Sequence, residues 1–251
     1  MPDRSSLVSD TPTRDDLSQL FGLAPLTDEK AFFESHWQEY EISPDQEEPF
    51  EWVLQAHQEA QEAYQQGDLD AAVRLNEEAL QVFPEFAESY IHLATIYQKA
   101  GAWDKCLETV DRAYENVAEE VPWLHYYKGR ALYERKQFNL ALIEFLQEVR
   151  VSGVSEGVVR WLFQVFADQL DQKRSTNWRV DRRLVECAIF CGFRILKIRF
   201  DPKLAGRMCG LWDDLERSGP WTEQVLNQLT GMSRHNFNEF YRSFGSGRTA
   251  R

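Results

Sequence analysis

The stretch Gly153-Val154-Ser155-Glu156-Gly157 has the Gly-x-Ser-x-Gly spacing in which a strained turn exposes a serine oxygen for acyl transfer. That chemistry needs a buried strand before the serine and a helix after it. Residues 141–150 read instead as a helix, and no apolar–polar alternation marks a strand in the chain. Ser155 is therefore expected in a loop between helices, capping the one that follows. Cys187 and Cys191 stand four apart, on one face of a helix, and could share a metal. A zinc site needs two more ligands, and neither Cys106 nor Cys209 has a ligand-spaced neighbour. Small buried thiols are the expectation. The five histidines are scattered singly, and no phosphate-cradling loop, His-Glu-x-x-His pair or calcium loop occurs. The expectation is a non-enzyme without catalytic residues, cofactor or metal.

Residue types that do no covalent work leave binding, and charge bears on that first. Residues 1–172 carry 13 basic against 33 acidic side chains, a net of −20, whereas 173–251 carry 15 against 8, a net of +7. Such asymmetry points to two surfaces with different partners, or to a basic end resting on an acidic body. The most apolar run, Leu184–Phe193, is interrupted by Glu186 and falls short of the roughly 18 residues of a membrane helix. The first residues are polar and acidic, unlike a signal peptide, and four cysteines without a Cys-x-x-Cys pair make no disulfide scaffold. These features lead us to expect a cytoplasmic protein with no membrane partner.

The elements that must position any binding surface declare themselves by repetition. Shifting the chain by 34 residues lays Ala60 on Ala94, Gly67 on Gly101, Leu69 on Trp103, Ala72 on Cys106 and Ala79 on Ala113. A further shift of 35 lays Ala94 on Gly129, Trp103 on Phe138, Cys106 on Ala141 and Val110 on Phe145. Small residues mark places where two helices approach closely, and large ones at helical spacing fill the space between layers. Gly67 and Gly101 supply turns that need positive φ. The third unit has Arg135-Lys136-Gln137 there, which predicts a tighter or strained turn.

Together these positions resemble the tetratricopeptide repeat. Ala60, Gly67, Leu69, Ala72, Ala79 and Pro84 carry the likeness in the first unit. Tyr90, Leu93, Ala94, Tyr97, Gly101, Trp103 and Ala113 carry it in the second, and Gly129, Phe138, Ala141 and Phe145 in the third. Asn76 stands where the family prefers a large apolar residue, and the second and third units lack the closing proline, which predicts looser packing at those points. The resemblance implies an all-α fold, an α-solenoid of helical hairpins with additional N- and C-terminal helices, since stacked thin hairpins bury a continuous core. We expect a disordered tail over 1–13, amphipathic helices and an acidic linker over 14–49, repeats over 50–172 and a basic helical region over 173–251. Thr27 is expected to cap a helix bearing Phe32, Phe33, His36, Trp37 and Tyr40, which docks on the first repeat. Further helices are expected near 156–171, 180–199, 203–217, 221–230 and 234–244.

First helices of successive units line the inner face of such a stack. Projection places His57, Gln61 and Tyr64, then Glu88, His92, Thr95 and Lys99, then Trp123, Tyr126, Tyr127, Arg130 and Tyr133 in that groove. Rings give contact area at low entropic cost and a lone arginine fixes a carboxylate. The expected function is an adaptor holding a peptide or helix of a partner protein. The alternative is a regulator whose C-terminal region touches nucleic acid while the repeats bind a protein. There Gly231 would turn between two helices, Ser233 would cap the second, and Leu226, Leu229, Phe237 and Phe240 would join them. Arg234, His235, Asn236, Asn238 and Arg242 would face phosphates or bases. Asn227 departs from that motif, which wants alanine for close helix packing.

Overall fold

The computed structural model describes residues 12–23, 40, 42–118, 120–175 and 181–245. The expected tail, apart from Thr13 and Pro12, and the helix expected after Thr27, apart from Tyr40, lie outside them. Among the described residues the regular structure is helical, twelve helices in two compact units, Thr27–Ser152 and Met1–Leu26 with Gly153–Arg251.

The first unit is built from three hairpins: α2 (Glu47–Gln66) with α3 (Leu69–Val82), α4 (Ala87–Lys99) with α5 (Trp103–Asn116), and α6 (Leu124–Glu134) with α7 (Phe138–Ser152). Helices begin and end where local chemistry demands it. Asp68 Oδ1 accepts the Ala71 amide at 3.0 Å, meeting one donor that the first turn of α3 leaves open. Gly67 and Gly101 turn the first two hairpins with φ of 86° and 68°. Lys136 does so in the third at 60°, a left-handed conformation that costs a side-chain-bearing residue about 1–2 kcal/mol. Small residues sit at the crossings: Ala60, Ala72, Ala94, Cys106 and Ala141 are wholly buried. At Gly129 an added Cβ would lie 2.8 Å from the Phe145 ring. The first helices of neighbouring hairpins touch, α2 with α4 and α4 with α6, which is the arrangement of a stacked array. Tyr40 docks on the first hairpins: its ring lies against Phe50, Phe83 and Phe86, and its hydroxyl donates to Glu88 at 2.5 Å.

Asn76 corrects the expectation of loose packing. It is completely buried, and its side-chain amide is satisfied on both sides, as described below. A second buried polar residue, Glu148 of α7, caps α6 from outside that helix. Its carboxylate accepts the amides of Trp123 at 3.0 Å and Tyr126 at 3.1 Å and the Ser152 hydroxyl. These bonds hold Trp123, whose φ is 73°, at the helix entrance. Burial pushes the Glu148 carboxyl above the usual carboxylate range.

The second unit gathers α1 (Arg14–Leu23), α8 (Glu156–Ser175), α9 (Arg182–Ile198), α10 (Pro202–Ser218), α11 (Glu223–Thr230) and α12 (Arg234–Phe244). α9 is its centre, buried along most of its length and packed against α1, α8, α10 and α11. From α1, Leu17 and Phe21 reach this core, Phe21 lying 5.5 Å from Phe190. Gly192 lets α9 pass close to Met208, and Trp212 closes the core against Phe237 at 4.5 Å. The boundary between units falls at 152/153, about twenty residues before the charge changes sign. Ser155 follows it at 3% exposure, and its Oγ accepts the Val158 amide at 3.2 Å. α7 ends at Ser152, and only Gly153 and the isolated bridge residue Val154 stand between it and the serine, which is a helix cap without the strand an acyl-transfer elbow needs.

Candidate functional site

The first helices α2, α4 and α6 present one shared face, and its side chains separate by depth. Gln61, Tyr64, Glu88, His92, Thr95, Tyr126, Arg130 and Tyr133 are half-buried and Lys99 is exposed, so each keeps polar or aromatic surface toward solvent. His57, Trp123 and Tyr127 keep only 5%, 4% and 7%. They lie beneath the face, because side chains at those helical positions fill the gap between layers. Projection from the sequence had put them on it; they act on the surface by supporting its other members.

Hydrogen-bond directions show how that support works. Thr95 donates to the Ile91 carbonyl at 2.8 Å, so Tyr127 is the donor in the 2.7 Å bond between the two hydroxyls. Asn76 Nδ2 donates to the Ala72 carbonyl at 2.7 Å and to His92 Nδ1 at 3.0 Å. Its Oδ1 must then accept from His57 Nδ1 at 3.2 Å, leaving His57 Nε2 to accept from Gln61 at 2.9 Å. This assignment makes both imidazoles neutral, with opposite tautomers. Burial lowers the His57 pKa, and burial with the neighbouring His57 brings His92 down to about 4. His92 meets the Tyr64 ring at 5.4 Å, and the Lys99 ammonium sits 4.3 Å above that ring's centre. Farther along, Arg130 lies 5.9 Å from the Trp103 ring, Tyr126 meets Tyr127 at 5.5 Å and Tyr133 meets Phe138 at 5.5 Å. The result is a strip of half-exposed rings and amides with two cations placed on aromatic faces.

The other sequence-derived surface lies on α11 and α12. Gly231 turns between them with φ of 70°, and Ser233 Oγ accepts the Asn236 amide at 3.3 Å. Leu226, Leu229 and Phe237 are buried and Phe240 half-buried, while Arg234, His235, Asn236, Asn238 and Arg242 are exposed. Asn227 points away from the helix crossing, exposed, with its amide 3.5 Å from the Met232 carbonyl. Arg234 rests on the Trp221 ring at 5.1 Å, and Glu239 stands in the same exposed row, 3.5 Å from His235.

One further feature was not legible beforehand, and the expectation of small buried thiols meets its structural counterpart. A cavity of about 380 Å³ in the second unit is lined by Arg174, Arg207, Arg217, Asp171, Asp213 and Asp214 among others. Its charges pair internally: Arg174 with Asp171 at 2.9 Å and with the buried Asp214, Arg217 with Asp214 at 3.2 Å, and Arg207 with Asp171 at 3.7 Å. The four cysteines are free and buried. Burial pushes the Cys106 and Cys191 thiols up to about 12 and Cys209 to about 11, so none is poised as a thiolate. No group of three His, Cys, Asp or Glu among the described residues is placed to hold a metal ion.

Comparison with known proteins bears on this array. A family model described as tetratricopeptide repeat matches residues 63–125, the stretch from the end of α2 to the start of α6. No curated protein matches the chain. The crystal structure of MamA protein superposes with a TM-score of 0.55 at 12% identity, over 80% of this chain and 98% of that one. A MamA RS-1 double mutant does so with a TM-score of 0.53 at 14% identity, over 76% and 95%. At such identities the likeness speaks for the fold alone.

Proposed function

Because residues 63–125 match a tetratricopeptide-repeat model and the hairpins stack as such repeats do, we propose that the chain serves as a non-enzymatic adaptor that holds an extended or helical peptide of a partner protein along α2, α4 and α6. Repeat arrays of this fold are interaction modules in general, and the finer assignment rests on one observation. Half-exposed rings stand beside two cations near aromatic faces, Lys99 and Arg130, and Tyr64 is backed from below by His92 and the satisfied Asn76 network. A surface fixed before binding leaves the ordering cost mainly to the partner. Rings contribute area at few rotatable bonds, and the cations orient an acceptor-bearing backbone or carboxylate. The cytoplasm is the proposed location.

The test replaces surface residues and spares the buried ones. Tyr64→Ala with Lys99→Glu and Arg130→Glu is expected to lose the partners captured by the unaltered chain from native lysate, with the thermal melt still cooperative. Undiminished capture by that variant would move the binding site off this face. The alternative, a nucleic-acid contact through α12, has less to stand on: Arg234 is engaged with Trp221 and Glu239 interrupts the polar row. A mobility shift that grows as salt is lowered, and that Arg234→Ala with Arg242→Ala removes, would favour it over the adaptor reading alone.

A further inference from the structure

The two most exposed large apolar side chains among the described residues are Ile198 at 49% and Phe200 at 55%. They stand where α9 ends and the backbone runs extended through Arg199 (φ −144°, ψ 118°) and Asp201 (φ −133°, ψ 113°) into α10. Lys197, Arg199 and Lys203 surround them in sequence, all exposed and none with an ion pair among the described residues. Several cations elsewhere in this acidic chain take carboxylates: Arg112 takes Glu77, Lys128 takes Asp111, Lys173 takes Asp181. The only carboxylate within the stretch, Asp201, is committed to capping α10, accepting the amides of Lys203 at 2.8 Å and Leu204 at 3.3 Å. Phe200 is not a loose side chain. Its ring meets Phe244 at 5.3 Å, Phe244 meets Phe240 at 5.3 Å, and Phe240 meets the buried Phe193 at 5.2 Å.

We propose that this turn is an interfacial contact for an anionic lipid surface, with Ile198 and Phe200 entering the headgroup boundary and the three cations meeting lipid phosphates. Unpaired positive charge calls for a negative occupant, and the shape of the patch selects among them. Ile198 ends α9 and Phe200 follows it in the connection to α10, both exposed, and neither lines the cavity described above. A protein partner would have to supply a fitted hollow, whereas a bilayer boundary closes around a projecting group. Stacked bases would gain from Phe200 but nothing from Ile198, which has no π face. Each cation near an anionic leaflet contributes roughly fivefold in partitioning, so three together supply about a hundredfold. The repulsion expected from a net charge of −13 is screened beyond about 10 Å at 0.1 M salt. No helix among the described residues is long and apolar enough to cross a membrane. The sequence features behind the expectation of no membrane partner, a short apolar run and a polar start, concern insertion and export, and a contact at the interface needs neither.

Flotation of the full chain with vesicles of phosphatidylcholine, or of phosphatidylcholine with a third phosphatidylglycerol, tests the proposal. The chain is expected to float with the anionic vesicles only, and to detach as salt rises toward 1 M. Ile198→Ser with Phe200→Ser is expected to weaken partitioning at least tenfold. Lys197→Gln with Arg199→Gln is expected to weaken it about 25-fold by the same per-cation factor. All four positions are exposed, and a cooperative melt for each variant shows that folding is intact. No flotation with anionic vesicles, equal flotation with neutral ones, or variants that float undiminished would each overturn the proposal. So would binding of single-stranded RNA or polyglutamate by this turn in the absence of vesicle binding.

Discussion

Two neutral imidazoles share one buried amide between the first and second hairpins, and each proton there has a place. Asn76 donates to His92 and accepts from His57, so adding a proton to either ring breaks a bond and buries a charge. An unfolded histidine titrates near 6.5, whereas folded His92 lies near 4 and His57 is lowered as well. Their contribution to stability is therefore complete above about pH 6.5 and is lost as pH falls toward 4, where the unfolded chain binds protons that the fold excludes. Glu148 works in the opposite sense, since its raised pKa makes the fold bind a proton more readily on acidification. A difference measurement separates the two. The stability lead of the unaltered chain over His92→Gln, read by urea denaturation, is expected to shrink between about pH 7.5 and pH 5. A lead that stays constant would contradict the neutral-ring assignment. Asn76→Leu, which restores the apolar residue the family prefers, strands the His57 donor and the His92 acceptor and is expected to cost about 1–3 kcal/mol. The sequence flagged Asn76 as a departure. It could not show that two histidines 19 and 16 residues away converge on it, because that meeting depends on how the hairpins stack.

At the scale of elements, small and turn-forming residues were the most legible part of the chain. Ala60, Ala94 and Gly129, read from their spacing alone, are the buried crossings of the observed hairpins. The reason is steric: a helix crossing admits little more than a methyl group, so residue size records the geometry directly. Gly129→Ala is expected to cost about 1–3 kcal/mol through overpacking, because the new methyl meets the Phe145 ring at 2.8 Å. A neutral result in a urea titration would mean that α6 and α7 can separate freely at that point. Lys136→Gly is expected to stabilise by about 0.5–1 kcal/mol, the left-handed penalty relieved less the added freedom of the unfolded chain. An unchanged or lower midpoint would show that the lysine is held there without strain. The cap of α6 was not legible. Glu148 lies 25 and 22 residues from the amides it accepts, and capping rules see only neighbours within the first turn. Glu148→Ala opens both amides at a buried site and is expected to cost about 2–3 kcal/mol in the same titration; a loss under half a kcal/mol would show that Trp123 keeps its conformation unaided.

For the molecule as a whole, the α-helical class and the five helices after the repeats were legible because their apolar faces and caps are local. Asp181, Asp201, Thr222 and Ser233 each accept an amide at the helix they precede. The partition into units was not legible, because it follows contacts between segments far apart in sequence. α1 joins α9 through Leu17, Phe21 and Phe190, across some 170 residues, and no periodicity in Arg14–Leu23 names that partner. Charge is a poor guide for the same reason: it describes solvated surface, while units are defined by buried side chains. Each unit has its own core, Tyr90, Leu93, Leu124 and Phe145 in one and Phe166, Phe190, Phe193 and Trp212 in the other. Separate cores open as separate cooperative regions in hydrogen exchange. Trp212→Ala removes a fully buried ring and is expected to cost about 3–5 kcal/mol, with amide exchange accelerating in α1 and in α8–α12. Protection in α2–α7 is expected to hold, since those helices are built around the other core. Faster exchange throughout α2–α7 in that variant would mean that the two cores fold as one, and the division at residue 153 would have no energetic meaning.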